Sequence, residues 1–290
     1  MRRLAIVVFA AGMTACGDVN AALEQLSEAR HLAADLLVEF TKASDASNRA
    51  VMADTDAASV AFAQEAALAK QTIHKDAAAL RPLLAGLGYT DETQLLDAFG
   101  QQFAAYEALD RQILDLAVEN TNLKAQRLSF GAAQAAADAF EQAVEAVTPA
   151  KATDAWRVRA ATATATSALR EIEVLQAPHI AAPDDASMAG FETRMKAQET
   201  IVRNALGVLA PLVDAPSQKR LAAANDALDR FMNVNTQIVG LSRQNTNVRS
   251  LALSLDQQRK MTGPCEDTLR GLRAALDKHG YPGGPHPGGR

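Results

Sequence analysis

The sequence has little cysteine and few aromatic residues. Among its 290 residues there are two cysteines and one tryptophan, and the aromatic fraction is 4%. Two cysteines leave little scope for a disulfide framework, so the core has to be held by packing. A β-sandwich would need more Val, Ile, Tyr and Phe, whereas frequent alanine favours closely packed helices. The composition therefore predicts an all-α fold.

The sequence also lacks a long apolar run and an excess of basic residues. No segment after Ala11 approaches the roughly 18 consecutive apolar residues of a membrane span. The formal net charge is -5, and nucleic acid is an unfavourable partner because phosphate binding requires Lys and Arg. We therefore expect no nucleic-acid partner, and attachment to a membrane only through lipid.

The first sixteen residues have the layout of a secretory signal peptide. Arg2 and Arg3 form a basic start, residues 4–11 are a short apolar run, and small residues precede Cys16. The segment Met13-Thr14-Ala15-Cys16 resembles the lipobox of bacterial lipoproteins. The resemblance implies cleavage before Cys16 and acylation of its thiol, so Cys265 is left without a disulfide partner in the chain. The alternative is an ordinary signal peptide with an incidental cysteine.

The residue after the cysteine indicates in which membrane a lipoprotein would be anchored. By analogy with the sorting rule of enteric bacteria, an Asp there would retain a lipoprotein in the inner membrane, but this chain has Gly17. The resemblance thus implies a lipid-anchored protein of the outer membrane that faces the periplasm. Two or three acyl chains anchor stably, because each buried methylene contributes about 0.8 kcal/mol.

Apolar residues recur at helical spacing along almost the whole chain, and the second half repeats the first. Matching blocks keep their order at offsets of 125 to 129 residues: 52–59 with 180–187, 80–84 with 209–213, and 113–123 with 238–248. A period this long indicates duplicated bundles, since solenoid repeats run at roughly 20–50 residues. The predicted fold is an elongated antiparallel helical bundle, all-α, built from two tandem related copies.

The pattern divides the chain into four segments. We expect the signal peptide at 1–15, bundle copies at 16–148 and 149–279, and a disordered Pro/Gly tail at 280–290. In the first copy, a third helix is expected to run from Thr90 or Asp91 to Leu128, where Ser129-Phe130-Gly131 breaks it.

A repeated Asn-Thr-Asn motif is the most distinctive interior feature, and it comprises Asn120, Thr121, Asn122, Asn245, Thr246 and Asn247. A stripe with alternating steps of three and four residues places Asn120 and Asn245 at apolar positions, whereas Asn122 and Asn247 should face away. Two hypotheses remain open. In the first, the asparagines set the packing register, and Asn→Leu leaves stability equal or higher. In the second, the six residues form a polar patch that grips a small ligand between helices.

The remaining reactive residues match no catalytic or metal-binding motif. The histidines lack the spacing of a zinc site and are expected to be surface or half-buried side chains: His31, His74, His179, His279 and His286. Helix capping explains the acidic residues at predicted helix starts. Cys265 is expected to be inert, with an intermolecular disulfide as the alternative. We therefore expect no enzyme activity, no cofactor and no metal.

One stretch carries a second resemblance. Residues 120–129, followed by Phe140 and a long helix, resemble the third-to-fourth helix junction of the four-helix-bundle sensor domain of bacterial chemoreceptors. The resemblance covers about residues 24–175 and, more weakly, a second copy to 276. It implies an extracytoplasmic sensor. Because this chain shows no second membrane span and no cytoplasmic signalling part, its signal would pass through a partner protein or a homo-oligomer.

These expectations define two classes of protein. The first is a lipid-anchored sensory or binding accessory subunit of the cell envelope. The alternative is a structural or assembly lipoprotein of the envelope with no small-molecule ligand.

Overall fold

A computed structural model describes residues 14–280, with side chains from residue 20 onward. Of the described residues, 91% are helical and none lies in a β-strand; an isolated bridge joins Pro149 and Val213. The all-α prediction is confirmed. The predicted signal peptide, the Cys16 side chain and the tail beyond Gly280 lie outside the described residues. No helix in residues 14–280 is long and apolar enough to cross a membrane.

Ten α-helices follow one another along the described chain. They are α1 Thr14–Val51, α2 Asp56–Leu87, α3 Thr90–Glu119, α4 Thr121–Leu128, α5 Gln134–Glu145, α6 Ala155–Ala181, α7 Asp185–Leu209, α8 Ala215–Gln244, α9 Thr246–Leu253 and α10 Arg259–Lys278. π-Helical segments join α4 to α5 at Ser129–Ala133 and α9 to α10 at Ser254–Gln258. A 3-10 turn, Ala152–Asp154, precedes α6.

The order of elements in the first half recurs in the second. Three long helices are followed by a short helix, a π-helical segment and a further helix: α1 to α5, then α6 to α10. The two π-helical segments are 125 residues apart, and so are Asn120 and Asn245. The structural repeat therefore has the period that the sequence blocks predict.

The chain forms two compact units whose boundaries differ from the predicted copies. The first unit comprises the described parts of Met1–Ala53, Ala57–Val118 and Ala252–Arg290; the second comprises Asp54–Asp56 and Glu119–Leu251. The last helix of each copy thus belongs to the unit of the other copy: α5 packs against α6 and α8, and α10 packs against α1. The predicted boundary at 148/149 falls inside the second unit.

Each unit encloses its own hydrophobic core. In the first unit the Phe40 ring makes edge contacts with Phe99, Phe103 and Tyr106 at centroid distances of 5.1 to 6.2 Å. The α10 residues Leu269, Leu272 and Leu276 complete that core, and all three are fully buried. Burial of such a side chain stabilises a fold by about 1.5–3 kcal/mol. Burial of the apolar face of α10 therefore stabilises its position in the first unit.

The apolar face of α5 has the same role in the second unit. Phe140 and Val144 are fully buried in one cluster with Ile172, Leu228 and Phe231. Alanine at many remaining core positions lets the helices of this unit approach closely. The last helix of the first copy, α5, therefore completes the core of the second unit, and the last helix of the second copy, α10, completes the core of the first unit.

The third helix ends earlier than its periodicity predicts. It stops at Glu119 instead of Leu128, because Asn120 takes a left-handed backbone conformation. The predicted break at Ser129–Gly131 is wrong: the chain continues there as a π-helical segment. A π-bulge accommodates an extra residue without ending the helix.

Candidate functional site

The Asn-Thr-Asn motif is built around two unusual backbone conformations. Asn120 has φ 52° and ψ 40°, and Asn245 has φ 54° and ψ 36°. Within residues 14–280, these are the non-glycine residues with positive φ. Asparagine tolerates this left-handed region better than most residues because its short side chain bonds locally. Each asparagine ends one helix, α3 or α8, and the next residue begins another, α4 or α9.

The first residues of α4 and α9 cap each other. The Thr121 N–H donates to Thr246 Oγ1 at 3.1 Å, and the Thr246 N–H donates to Thr121 Oγ1 at 3.2 Å. The two hydroxyl oxygens are 3.2 Å apart. The first N–H groups of a helix have no partner within it. Here each helix start obtains its acceptor from the other copy.

The second residues continue the same exchange. The Asn122 N–H donates to Asn247 Oδ1 at 3.1 Å, and the Asn247 N–H donates to Asn122 Oδ1 at 3.2 Å. The four bonds form a reciprocal set, in which every donor and acceptor has a counterpart 125 residues away. We call the six residues Asn120 to Asn122 and Asn245 to Asn247 the asparagine clasp.

The side-chain amides close the clasp and connect it to the turn after α6. Asn122 Nδ2 donates to Asn245 Oδ1 at 2.9 Å, and Asn247 Nδ2 donates to Asn120 Oδ1 at 2.8 Å. Asn122 Nδ2 also donates to the Ile180 carbonyl at 2.7 Å, and Asn245 Nδ2 donates to Ala182 at 3.0 Å. The clasp side chains are therefore committed to protein partners, with one exception.

The exception breaks the symmetry of the clasp. Asn120 Nδ2 is buried and makes no hydrogen bond of ordinary geometry, whereas its counterpart in Asn245 donates to the Ala182 carbonyl. Asp56 Oδ1 in the same unit is also buried without such a bond. The other oxygen of Asp56 accepts from Arg127 at 3.0 Å, and this bond lowers the pKa of the Asp56 carboxyl. The Asn120 amide also contributes to this lowering, so in the first copy the amide interacts with the Asp56 carboxyl instead of a backbone carbonyl.

The structure corrects one expectation about the motif. Asn120 and Asn245 are buried, as the apolar stripe predicts, but Asn122 is also buried and bonded, and Asn247 is bonded instead of facing away. The left-handed residue rotates the following helix out of phase with the preceding one, so a continuous helical projection fails at this point. Sequence periodicity therefore cannot reveal the left-handed backbone conformation of Asn120 and Asn245.

His179 lies next to the clasp and corrects a second expectation. Its side chain is fully buried, whereas the sequence predicts a surface or half-buried imidazole. Its Nδ1 lies 2.9 Å from Ser242 Oγ, and its Nε2 lies 2.9 Å from Glu192 Oε1. Arg243 also bonds Glu192, which lowers the pKa of that carboxyl. A polar chain thus connects the end of α6 to α7 and α8.

The first unit contains an open groove between α2 and α3. The groove has a volume of about 490 Å³ and combines apolar residues such as Val60, Leu114 and Val118 with charged ones. This volume lies in the range of small-molecule sites, roughly 300–1,000 Å³. The groove is therefore a candidate ligand site, separate from the asparagine clasp.

The charged side chains of this groove differ in their partners. Lys70 bonds the fully buried carboxylate of Asp110, and His74 Nε2 lies 2.9 Å from Glu107 Oε2. Arg111 and Asp115 line the groove but make no ion pair with any residue in the described part of the chain. One cation and one anion are therefore available to a ligand.

Two further kinds of reactive site can be assessed in the described residues, a metal centre and a cysteine. Among them, no set of three or more His, Cys, Asp or Glu is arranged to hold a metal ion. Cys265 is fully buried within α10, and burial, with a smaller effect of Glu266, raises the pKa of its thiol to about 11. A buried neutral thiol is a poor nucleophile and cannot reach a second chain without local opening.

Comparisons with known proteins give one weak structural match and no match to a family or a curated sequence. No protein-family model matches the chain, and no curated protein matches it. One solved structure, described as the sensor domain of the V. parahaemolyticus histidine kinase sensor TorS, matches with 13% sequence identity and a TM-score of 0.48. The alignment covers 89% of this chain and 97% of that chain. This similarity is too weak to assign the chain to a family.

Proposed function

We propose that this protein is a lipid-anchored component of the cell envelope that binds a small solute without transforming it. It would serve as a sensory or binding accessory subunit and pass its signal to a partner protein or a second copy. The observation that carries this proposal is the groove between α2 and α3, with Arg111 and Asp115 available on its wall. An open groove suits reversible binding, since catalysis benefits from a site that excludes water.

The chemistry of the groove suggests the class of ligand. A carboxylate would pair with the Arg111 guanidinium, and an ammonium group would pair with the Asp115 carboxylate. The apolar wall formed by Val60, Leu114 and Val118 would receive a hydrocarbon side chain. A small zwitterion with an apolar body therefore fits best.

A thermal-shift screen tests this proposal. Leucine, valine and betaine-type zwitterions are added to the purified chain, and unfolding is followed by circular dichroism. A ligand at 100 times its Kd stabilises the folded state by about 2.7 kcal/mol, which raises the melting temperature by several degrees. Arg111→Gln should abolish the rise, whereas Lys75→Gln, which removes an exposed charge of the same unit outside the groove, should keep it. A rise that survives Arg111→Gln, or no rise with any zwitterion, contradicts the proposal.

The anchor is tested separately. Mass spectrometry of the mature protein should show an N-terminal Cys16 that carries acyl chains. An unmodified Cys16 or an uncut Met1 would refute the lipid anchor and leave the ligand proposal untouched.

The asparagine clasp favours the alternative function, a structural or assembly lipoprotein of the envelope. Its hydrogen bonds are almost all made within the protein, as expected of a device that fixes helix packing. A failed ligand screen together with destabilised clasp variants would support this alternative.

A further inference from the structure

The second unit carries exposed apolar side chains around the only tryptophan of the chain. Trp156 is 66% exposed, Val208 47% and Ile201 39%. The three residues line a groove of about 430 Å³ between α6 and α7. We call them the tryptophan patch. Large apolar side chains that are exposed together mark an interaction site more often than scattered ones do.

One basic side chain lines the groove of this patch, and four others lie on neighbouring segments. Arg157 lines the same groove, and Arg159, on the other side of Trp156, lines a neighbouring groove on α6. Lys151 lies in the loop before α6, and Lys219 and Arg220 lie near the start of α8. All five basic residues are exposed.

Backbone contacts bring these segments to one end of the unit. The Ala150 N–H donates to the Leu212 carbonyl at 2.8 Å, and the Asp214 N–H donates to Thr148 at 3.1 Å. The loop before α6 therefore runs beside the loop before α8. Lys151, the basic residues at the starts of α6 and α8, and the tryptophan patch therefore belong to the same end of the second unit.

Nearby acidic residues only partly offset this charge. Asp154 lies 3.7 Å from Arg157, and Asp214 is engaged at the start of α8 by the Ser217 N–H at 2.9 Å. Glu145 lines the groove beside Arg159. Five basic and three acidic residues leave this end with a positive excess, although the net charge of the whole chain is -5.

We propose that this end of the second unit docks on a lipid surface with anionic headgroups. The inference rests on the proposed envelope location, which brings the chain next to a membrane. A tryptophan ring favours the interface between water and hydrocarbon, and Lys and Arg are attracted to anionic lipid. A symmetric contact between two copies is less favourable, because it would place the same basic residues opposite each other.

Vesicle binding by a chain without acyl groups tests the docking surface. Residues 16–290 with Cys16→Ser are mixed with vesicles of phosphatidylglycerol and phosphatidylethanolamine, or of phosphatidylcholine alone. Because Trp156 is the only tryptophan, its fluorescence reports this end of the molecule without a label. We expect its emission to shift to shorter wavelength, and to be quenched by brominated acyl chains, with the anionic vesicles only. Higher salt should weaken the effect.

Matched variants separate the two contributions. Arg157→Gln/Arg159→Gln should reduce binding to anionic vesicles at least tenfold, since each basic residue near the surface contributes about fivefold. Arg230→Gln/Arg249→Gln removes the same charge from exposed positions elsewhere in the unit and should leave binding unchanged. Trp156→Ala, followed by co-sedimentation, should weaken binding more than Phe130→Ala, which truncates an aromatic residue with 67% exposure in the same unit.

Three results would overturn the proposal. They are no emission shift with anionic vesicles, equal binding to both vesicle types, and equal losses in the patch variants and their controls. A missing acyl chain on Cys16 in cells would refute the anchor but not the vesicle result, so the two failures are distinguishable.

Discussion

Reciprocal capping in the asparagine clasp predicts how its two threonines contribute to stability. Thr121→Val and Thr246→Val keep side-chain volume and branching but remove one hydroxyl each. Each change leaves one N–H of the opposite helix start without an acceptor. Thr121 and Thr246 are 4% and 2% exposed, so water cannot readily replace the lost partner.

The magnitude is set by the bonds removed. An unsatisfied buried N–H costs about 1–3 kcal/mol, and loss of the hydroxyl–hydroxyl contact adds to this. We expect each single variant to lower the free energy of unfolding by about 2 kcal/mol. The double variant should lose about 3 kcal/mol, because the contact between the hydroxyls is lost in both single variants and counts once. The near-symmetry of the bonds predicts similar losses for the two singles.

Urea denaturation measures these losses, with circular dichroism for total helix and Trp156 emission for the second unit. Thr193→Val serves as the control, since its hydroxyl bonds the Ala189 carbonyl on an exposed face of α7. The control should change stability by less than about 0.5 kcal/mol. Single-variant losses no larger than the control, or strict additivity in the double variant, would refute the capping argument.

Three further predictions concern single residues. Asn245→Leu should destabilise more than Asn245→Gly in urea denaturation, by about 1 kcal/mol, because the left-handed backbone is unfavourable for leucine and not for glycine; equal losses would remove backbone strain from the account. Cys265 should resist iodoacetamide at pH 8 in the folded protein and react at once in denaturant, since burial raises its pKa to about 11; rapid native-state labelling would show that α10 opens readily. Bonding to Arg243 and His179 lowers the pKa of Glu192, so its contribution is present above its unfolded pKa near 4.5 and is lost as pH falls through the lower folded pKa. Glu192→Gln should therefore flatten the loss of stability between about pH 5 and 3 in acid melts, and an unchanged profile would contradict this assignment.

The asparagine positions show where sequence reasoning succeeded and where it failed. The apolar stripe correctly placed Asn120 and Asn245 in buried positions. The same stripe predicts that leucine is tolerated there, whereas the left-handed φ of 52° and 54° leads us to expect destabilisation. Periodicity describes a continuous helix, and it cannot report a residue that interrupts the helix and rotates the next one.

His179 illustrates a second kind of failure. His179 continues the buried stripe of Ile172 and Leu175 at helical spacing, so its burial could have been read from α6. The sequence does not show the partners that satisfy its ring, because Ser242 and Glu192 come from α8 and α7. A lone histidine with no motif spacing is most often a surface residue. Here distant carboxylate and hydroxyl groups satisfy both ring nitrogens and make burial possible.

The sequence by itself determined the helical class and the duplication. Helical spacing, abundant alanine and scarce aromatics act within a few turns of chain, and the ordered blocks at offsets of 125 to 129 residues can be read without coordinates. Only the tertiary structure decided that the last helix of each copy completes the core of the other unit, and that the two Asn-Thr-Asn motifs cap each other. The physical reason is that a buried N–H requires an acceptor but does not specify where in the chain that acceptor lies. The apolar faces of α5 and α10 likewise require burial in a core, but their sequences do not specify which core. Packing between segments distant in the chain determines where each helix is buried.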